Sequence, residues 1–372
     1  MKRIVLCCDG TWNSADQETN GVPCPTNVVK LGYRVAKRDA KGTPQIVYYD
    51  EGVGTGNFID RVSGGAFGEG LEQNIHDAYR FLASNYEPGD QLYVFGFSRG
   101  AFTARSIVGM IRKCGVLALK NVKHYRDALE LYRNGARPAD AGPTKFRTSY
   151  CAYGNDDIKV DFIGVWDTVG ALGIPLRGLR WLTRKDHQFH DTQLSGIVQR
   201  ACHALAIDEY RGSFEPATWD YVPKEWQRVE QVWFCGAHSD VGGGYAEQQL
   251  SDIALDWMIG KARDAGLAFD QEVVDANPLD PSPFAKIHDS KARFYNLASD
   301  FNRTVGKTKK TDKSREHNDP TQSLHPSVLA RWDKDSSYRP APLVEYFKRI
   351  GDPRAKEVPE PDVEEPAPRD VG

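Results

Sequence analysis

One stretch constrains this chain more than any other: an apolar run, a glycine-flanked serine and a helical pattern, in that order. Residues Gln91 to Arg112 read QLYVFGFSRGAFTARSIVGMIR. Leu92-Tyr93-Val94-Phe95 is aromatic and β-branched, as a buried strand is, whereas Ala101, Phe102, Ala104, Ile107, Val108 and Ile111 recur at three- and four-residue steps, as on one helix face. Between them stands Gly96-Phe97-Ser98-Arg99-Gly100. Strand, G-x-S-x-G and helix make a nucleophile elbow, in which a strained turn presents the serine and small residues two before and two after it let strand and helix pass closely. The five-residue pattern is common by itself; the strand before it and the helix after it give it weight. Ser98 is therefore the candidate nucleophile. A serine hydroxyl is a poor nucleophile at neutral pH, so a base and an orienting acid are required from elsewhere in the chain.

The surrounding pattern supplies the frame. Met1 to Cys8 reads as a buried strand, Asn27 to Lys37 as a helix, Gln45 to Tyr49 as a second strand and Leu71 to Leu82 as a helix face, after which the elbow strand follows. Beyond the elbow come a helix over Lys120 to Asn134, a connection over Ala136 to Thr148, strands over Val160 to Trp166 and Val229 to Phe234, an Arg200 to Ile207 element between them, and a helix over Ser251 to Ala265. Such alternation is the signature of a parallel sheet covered by helices. Asn302 to Pro320 is polar and reads as a surface loop, and Asp352 to Gly372 mixes proline with acidic residues as a disordered tail does.

In an open α/β sheet, ligands are handled beyond the carboxyl ends of the strands. Asp9, Ser98, Asp167 and His238 each follow a strand, so one edge of the sheet would gather them. The order serine, acid, histidine is that of α/β-hydrolases. In that scheme His238 takes the Ser98 proton as general base and Asp167 orients and stabilises the imidazole. Alternatives stay open at this point: His325 for the base, and Asp208 or Asp240 for the acid. Oxyanion donors are expected from the backbone N–H of Arg99 and from the Gly10-Thr11 turn.

Other chemistries fit less well. Asp9-Gly10-Thr11 lacks the first aspartate of a D-x-D-G-T phosphatase, since position 7 is Cys7; Gly52-x-Gly54 lacks the third glycine of a dinucleotide loop, where Asn57 stands; and no P-loop occurs. A net charge of −3 offers nucleic acid no attraction, and no such motif is present. Seven cysteines without a C-x-x-C pair suggest buried free thiols, neither a disulfide framework nor a metal site, and no cofactor is expected. The apolar start ends at Asp9, too short for a signal peptide or a membrane span, so a cytoplasmic chain is expected, with export possible only by a route without a cleaved signal.

At these residues the sequence resembles the type VI secretion phospholipase effectors of the first lipase class. The likeness rests on Cys8-Asp9-Gly10-Thr11-Trp12-Asn13, the elbow, Gly164-Val165-Trp166-Asp167-Thr168-Val169-Gly170, Ala206-Ile207-Asp208-Glu209, Gly236-Ala237-His238-Ser239-Asp240-Val241-Gly242-Gly243-Gly244-Tyr245 and His325-Pro326-Ser327-Val328. It implies an α/β-hydrolase-like, mostly parallel sheet flanked by helices with lid or cap insertions, and a Ser98, Asp167, His238 triad cleaving acyl esters of phospholipids. The expected organisation is one catalytic domain over residues 1–350, with a cap- or lid-like insertion over about 170–228, and a tail over 351–372. Leu176 to Lys185, leucines and Trp181 among arginines, suits a lid meeting a membrane surface transiently. Implied partners are a lipid or ester substrate, an immunity protein and a secretion carrier. A non-catalytic α/β module binding a partner or anionic ligand through its glycine-rich loops is the reading from another class.

Overall fold

A computed structural model of the chain describes residues 1–10, 13–52, 64–154, 158–169, 194–219, 224–290, 301–307 and 318–357. Its centre is a seven-stranded sheet of β1 (Arg3–Cys8), β2 (Gln45–Asp50), β3 (Gln91–Phe97), β4 (Val160–Trp166), β5 (Val198–Ala206), β6 (Arg228–Phe234) and β7 (Gln322–Leu324). The strands lie side by side in the order β2-β1-β3-β4-β5-β6-β7, and every ladder is parallel. Parallel neighbours need crossover connections, which is why strands alternate with helices along the sequence. The order reverses direction between β1 and β3, and the crevice at such a switch point is where an α/β sheet handles ligands. This is the parallel α/β sheet flanked by helices that the sequence leads one to expect.

Both faces of the sheet are covered, so the central strands are continuously apolar. In β1 the side chains of Ile4, Leu6 and Cys8 enter one core with Ile75 and Leu82 of α2 (Gly64–Asn85) and Ala104 and Ile107 of α3 (Ser98–Cys114). Val5 and Cys7 point the other way, into a second core with Leu31 of α1 (Asn27–Arg34) and Met258 of the helix Gln249–Asp264. The period-two alternation of a strand thus splits one hydrophobic run between two cores. All seven cysteines are free thiols, and six of them are buried.

Several expectations are corrected. The connection Ala136 to Thr148 contains a helix, Ala141–Tyr150, with Asp140 at its N-cap position and Pro143 in its first turn, where a proline costs no hydrogen bond. The cap-like insertion cannot run unbroken over 170–228, because Val198–Ala206 is a central strand paired on both sides; residues 170–193 and 220–223, including the lid candidate 176–185, lie outside the described residues. The first part of the expected tail is ordered, since Pro353–Glu357 forms a 3-10 turn in which Arg354 pairs with Asp333 at 2.9 Å; residues 358–372 lie outside the described residues. Two further helices, Pro326–Lys334 and Ala341–Ile350, pack Trp332, Leu343 and Phe347 into the second core. Among the described residues no helix is long and apolar enough to cross a membrane.

Candidate active site

Ser98 directly follows β3 and opens α3, 6 % exposed. Its φ is +57°, in the left-handed region, where a side chain costs roughly 1–3 kcal/mol. Such strain persists only where the surroundings impose it. Here a Cβ on Gly96 would stand 2.5 Å from the Gly100 carbonyl oxygen, and one on Gly100 would stand 2.2 Å from that of Cys8. Only glycines let β1, β3 and α3 converge this tightly. Among the described residues the non-glycine positions with positive φ are Asn20, Ser98 and Asp167, the last at +38°. Two of those three are the candidate nucleophile and acid.

Asp167 is fully buried at the end of β4 and meets His238, 5 % exposed, at the start of the helix His238–Gly242. His238 Nδ1 lies 2.6 Å from Asp167 Oδ2. A carboxylate only accepts, so Nδ1 carries the proton and the Nε2 lone pair remains for a proton acceptor's work. Phe97 lies against the imidazole at 4.6 Å between centroids and Phe214 meets it edge-on at 4.9 Å, which seats the histidine beside the elbow. Gly242 makes room for that, since its Cβ would stand 1.9 Å from the Phe97 ring. Neither the Ser98 hydroxyl nor His238 Nε2 has a hydrogen-bond partner among the described residues.

Burial dominates the electrostatics and is then answered. It would push the Asp167 carboxyl up, but the Arg303 guanidinium and His238 hold it well below the ordinary carboxylate range. For His238 burial lowers proton affinity, only partly offset by Asp167 and Glu209, so the imidazole is neutral at neutral pH.

Two partners of this pair were not singled out from the sequence. Arg303 grips Asp167 with both arms, Nη1 to Oδ1 at 2.5 Å and Nη2 to Oδ2 at 3.0 Å, and is 1 % exposed. The supposed surface loop from Asn302 therefore delivers a buried side chain; no periodicity or motif marks it. Glu209 accepts the His238 amide at 3.3 Å and is paired with Arg211 at 2.7 Å. Burial would raise its carboxyl, and Arg211 holds it down. Its place in Ala206-Ile207-Asp208-Glu209 was the available signal.

The alternatives are engaged elsewhere. Asp208 accepts the Gly236 amide at 2.7 Å and the Tyr338 hydroxyl at 2.9 Å, with burial raising its carboxyl to about 6. Asp240 accepts the Ala237 amide at 2.9 Å and pairs with His288 at 2.6 Å, organising its own loop. His325 caps the helix Pro326–Lys334 through Ser327 and stacks on Phe234 at 4.7 Å, with burial lowering it to about 4. Since asparagine caps as well as any residue, His325→Asn is expected to leave ester turnover within about twofold of wild type, measured by steady-state assay; a collapse of turnover in a folded variant would move the base to His325.

The oxyanion candidates fare differently. Thr11 lies outside the described residues. Gly10 does lie against the elbow, its Cβ position 3.4 Å from Ser98 Cβ, but its amide already donates to Asp9 Oδ1 at 2.6 Å. Asp9, raised to about 6 by burial, also accepts from Thr26 at 2.7 Å and Tyr49 at 2.8 Å, so it organises the turn after β1. The Gly10 amide is thus engaged within its own turn. Among the described residues no group of three or more histidine, cysteine, aspartate or glutamate side chains is arranged to hold a metal ion.

Residues 2–261 match the family described as T6SS phospholipase effector Tle1-like, catalytic domain. An uncharacterized protein of Saccharomyces cerevisiae is 30% identical over an alignment of 246 positions that covers 60% of this chain and 34% of that protein. Among solved structures, an uncharacterized protein from Pseudomonas aeruginosa is 20% identical with a TM-score of 0.42, covering 72% of this chain and 46% of that one. The Tle1 effector bound to the VgrG spike of the type VI secretion system is 21% identical with a TM-score of 0.39, covering 65% of this chain and 51% of that one. The chain thus spans about a third of the curated relative and about half of each solved structure.

Proposed function

The chain belongs to the Tle1-like phospholipase effector family of type VI secretion through its catalytic domain, and from that premise we propose that it is a serine hydrolase cleaving carboxylic ester bonds of phospholipids. The observation that carries this reading is the buried His238–Asp167 pair, joined at 2.6 Å, its imidazole packed on Phe97, the residue before a serine held at a left-handed φ of +57°. A carrier of the secretion machinery and an immunity protein are the partners it implies.

In the proposed reaction the Ser98 oxygen adds to the ester carbonyl while His238 Nε2 takes the hydroxyl proton. The nucleophile–base hydrogen bond forms with substrate in place, as is common when catalytic contacts tighten only in the complex. Negative charge on the carbonyl oxygen is met by the Arg99 backbone N–H, in the first turn at the positive end of α3. Collapse expels the alcohol, which leaves with the His238 proton, and an acyl group stays on Ser98. Water then attacks that acyl carbonyl, giving its proton to His238, and the fatty acid departs as Ser98 regains a proton.

A base must be unprotonated, and burial lowers His238 below its ordinary value of about 6.5. Accordingly kcat/KM is expected to rise with pH along a limb lying below about 6.5 and to be level at neutral pH. Stability follows the same sign: the unfolded imidazole takes protons first, so its contribution is complete above about 6.5 and is lost as pH falls. The test is a fluorophosphonate probe on the full chain, read by peptide mass spectrometry. Covalent labelling at Ser98 that fades along that acid limb is the expected result. Folded protein that takes no label favours a non-catalytic binding module.

A further inference from the structure

We propose that Arg303 is a positioning residue whose fixed charge keeps the Asp167–His238 pair free of an added proton at neutral pH, so that residues 301–307 complete the site. The proposal rests on the reading of that pair as acid and base. Arg303 lies beyond the matched catalytic-domain residues 2–261, in a segment with no catalytic signature of its own.

An ionised Asp167 beside a neutral His238 is a single buried negative charge, and such a charge needs either a counter-ion or a proton. Arg303 supplies the former in full contact: both guanidinium arms reach the carboxylate, and the same arms donate to the carbonyls of Ala206 at 2.8 Å and Phe214 at 2.6 Å. Those carbonyls fix the plane of the fork, and a planar fork matches a carboxylate as an ammonium cannot. It also fixes the rotation of Asp167, and through Oδ2 the ring of His238.

Other charged or titratable groups face the pair. Glu209 and Arg211, from the loop after β5, bind each other at 2.7 Å and largely cancel. His203, on β5, accepts the Thr168 amide at 3.1 Å and is lowered to about 3, chiefly by burial, so it stays neutral. Among the described residues, Arg303 is the charge that contacts and balances Asp167. Without it the pair gains by taking up a proton, and since Nδ1 already carries one, the newcomer goes to Nε2. That is the nitrogen that must accept from Ser98.

The experiment compares pH profiles of ester hydrolysis for wild type, Arg303→Gln and Arg303→Lys, with folding checked by thermal melting. Arg303→Gln is expected to move the acid limb of kcat/KM to higher pH, losing on the order of a hundredfold near pH 6 and recovering much of it by pH 9. Arg303→Lys keeps the charge but loses the fork, so its limb stays in place while kcat falls severalfold. A limb for Arg303→Gln that coincides with wild type overturns the proposal. If Arg303→Gln does not fold, Arg303→Lys decides: a displaced limb or an unchanged kcat overturns it. Wild type that neither hydrolyses esters nor takes a fluorophosphonate at Ser98 would instead be a failure of the enzymatic reading. In that event, 15N titration of His238 in wild type and the variants still shows whether Arg303 governs where the imidazole takes its proton.

Discussion

Ser98→Ala is expected to abolish ester hydrolysis, with kcat falling on the order of a millionfold, because base and acid are useless without the oxygen they activate. The assay is release of nitrophenol from a nitrophenyl acylate, followed by lipidomic profiling of mixed liposomes to identify which acyl bonds are cut. Two companion variants separate chemistry from architecture. Asp167→Asn retains the shape of the acid but loses the charge that sets the His238 tautomer, and kcat is expected to drop about ten-thousandfold. Ser98→Gly is as inactive as Ser98→Ala but is expected to be the more stable of the two by about 1 kcal/mol, since glycine takes a φ of +57° without penalty. Equal melting temperatures for these two inactive variants would argue against a strained elbow. Undiminished hydrolysis by Ser98→Ala would remove the proposed mechanism altogether.

The second large effect belongs to the glycine two residues later. In Gly100→Ala the new methyl would stand 2.2 Å from the Cys8 carbonyl oxygen and 2.3 Å from that of Asp9. Both obstacles are backbone at the carboxyl end of β1, so no rotamer change relieves the overlap, and either β1 or α3 must shift. Overpacking of this kind costs about 3 kcal/mol or more where nothing flexible can yield. Chemical denaturation is expected to show that loss, together with impaired fluorophosphonate labelling, because the displaced segment carries the Asp9-Gly10 turn that rests on Ser98. Gly260→Ala, in the helix Gln249–Asp264, is the control: a Cβ there meets nothing within 4 Å, so helix propensity alone acts and stability should rise by roughly 0.5–1 kcal/mol. If Gly100→Ala is as benign as Gly260→Ala, the close approach of β1 and α3 is not what it is described to be.

How legible the molecule is from its letters depends on how local the cause is. The elbow could be read because every cause of it lies within a few residues: the apolar run of β3, the two glycines and the periodic face of α3 are contiguous. Asp167 and His238 could be placed because each ends a strand pattern, and parallel strands bring their carboxyl ends to one edge. The helix Ala141–Tyr150 was legible in principle, from Asp140 before it and Pro143 in its first turn, but its short apolar side, Pro143 and Phe146, is too sparse to show a period. The two helices after His325 were overlooked for a different reason: their apolar residues join the second core at the far edge of the sheet, where strand β7 is only three residues long.

The chain's letters alone determined the sheet, its two covered faces, the strained serine and which edge carries the chemistry, because periodicity and glycine clearance act between near neighbours. Only the tertiary structure decided which acid meets which histidine, that Asp208, Asp240 and His325 are committed elsewhere, and that Arg303 reaches across 136 positions to grip Asp167. A buried ion pair leaves no trace in sequence spacing. Its partners are chosen by where the folded backbone happens to exclude water, and the cost of an unpaired charge there is felt only once the chain has closed around it.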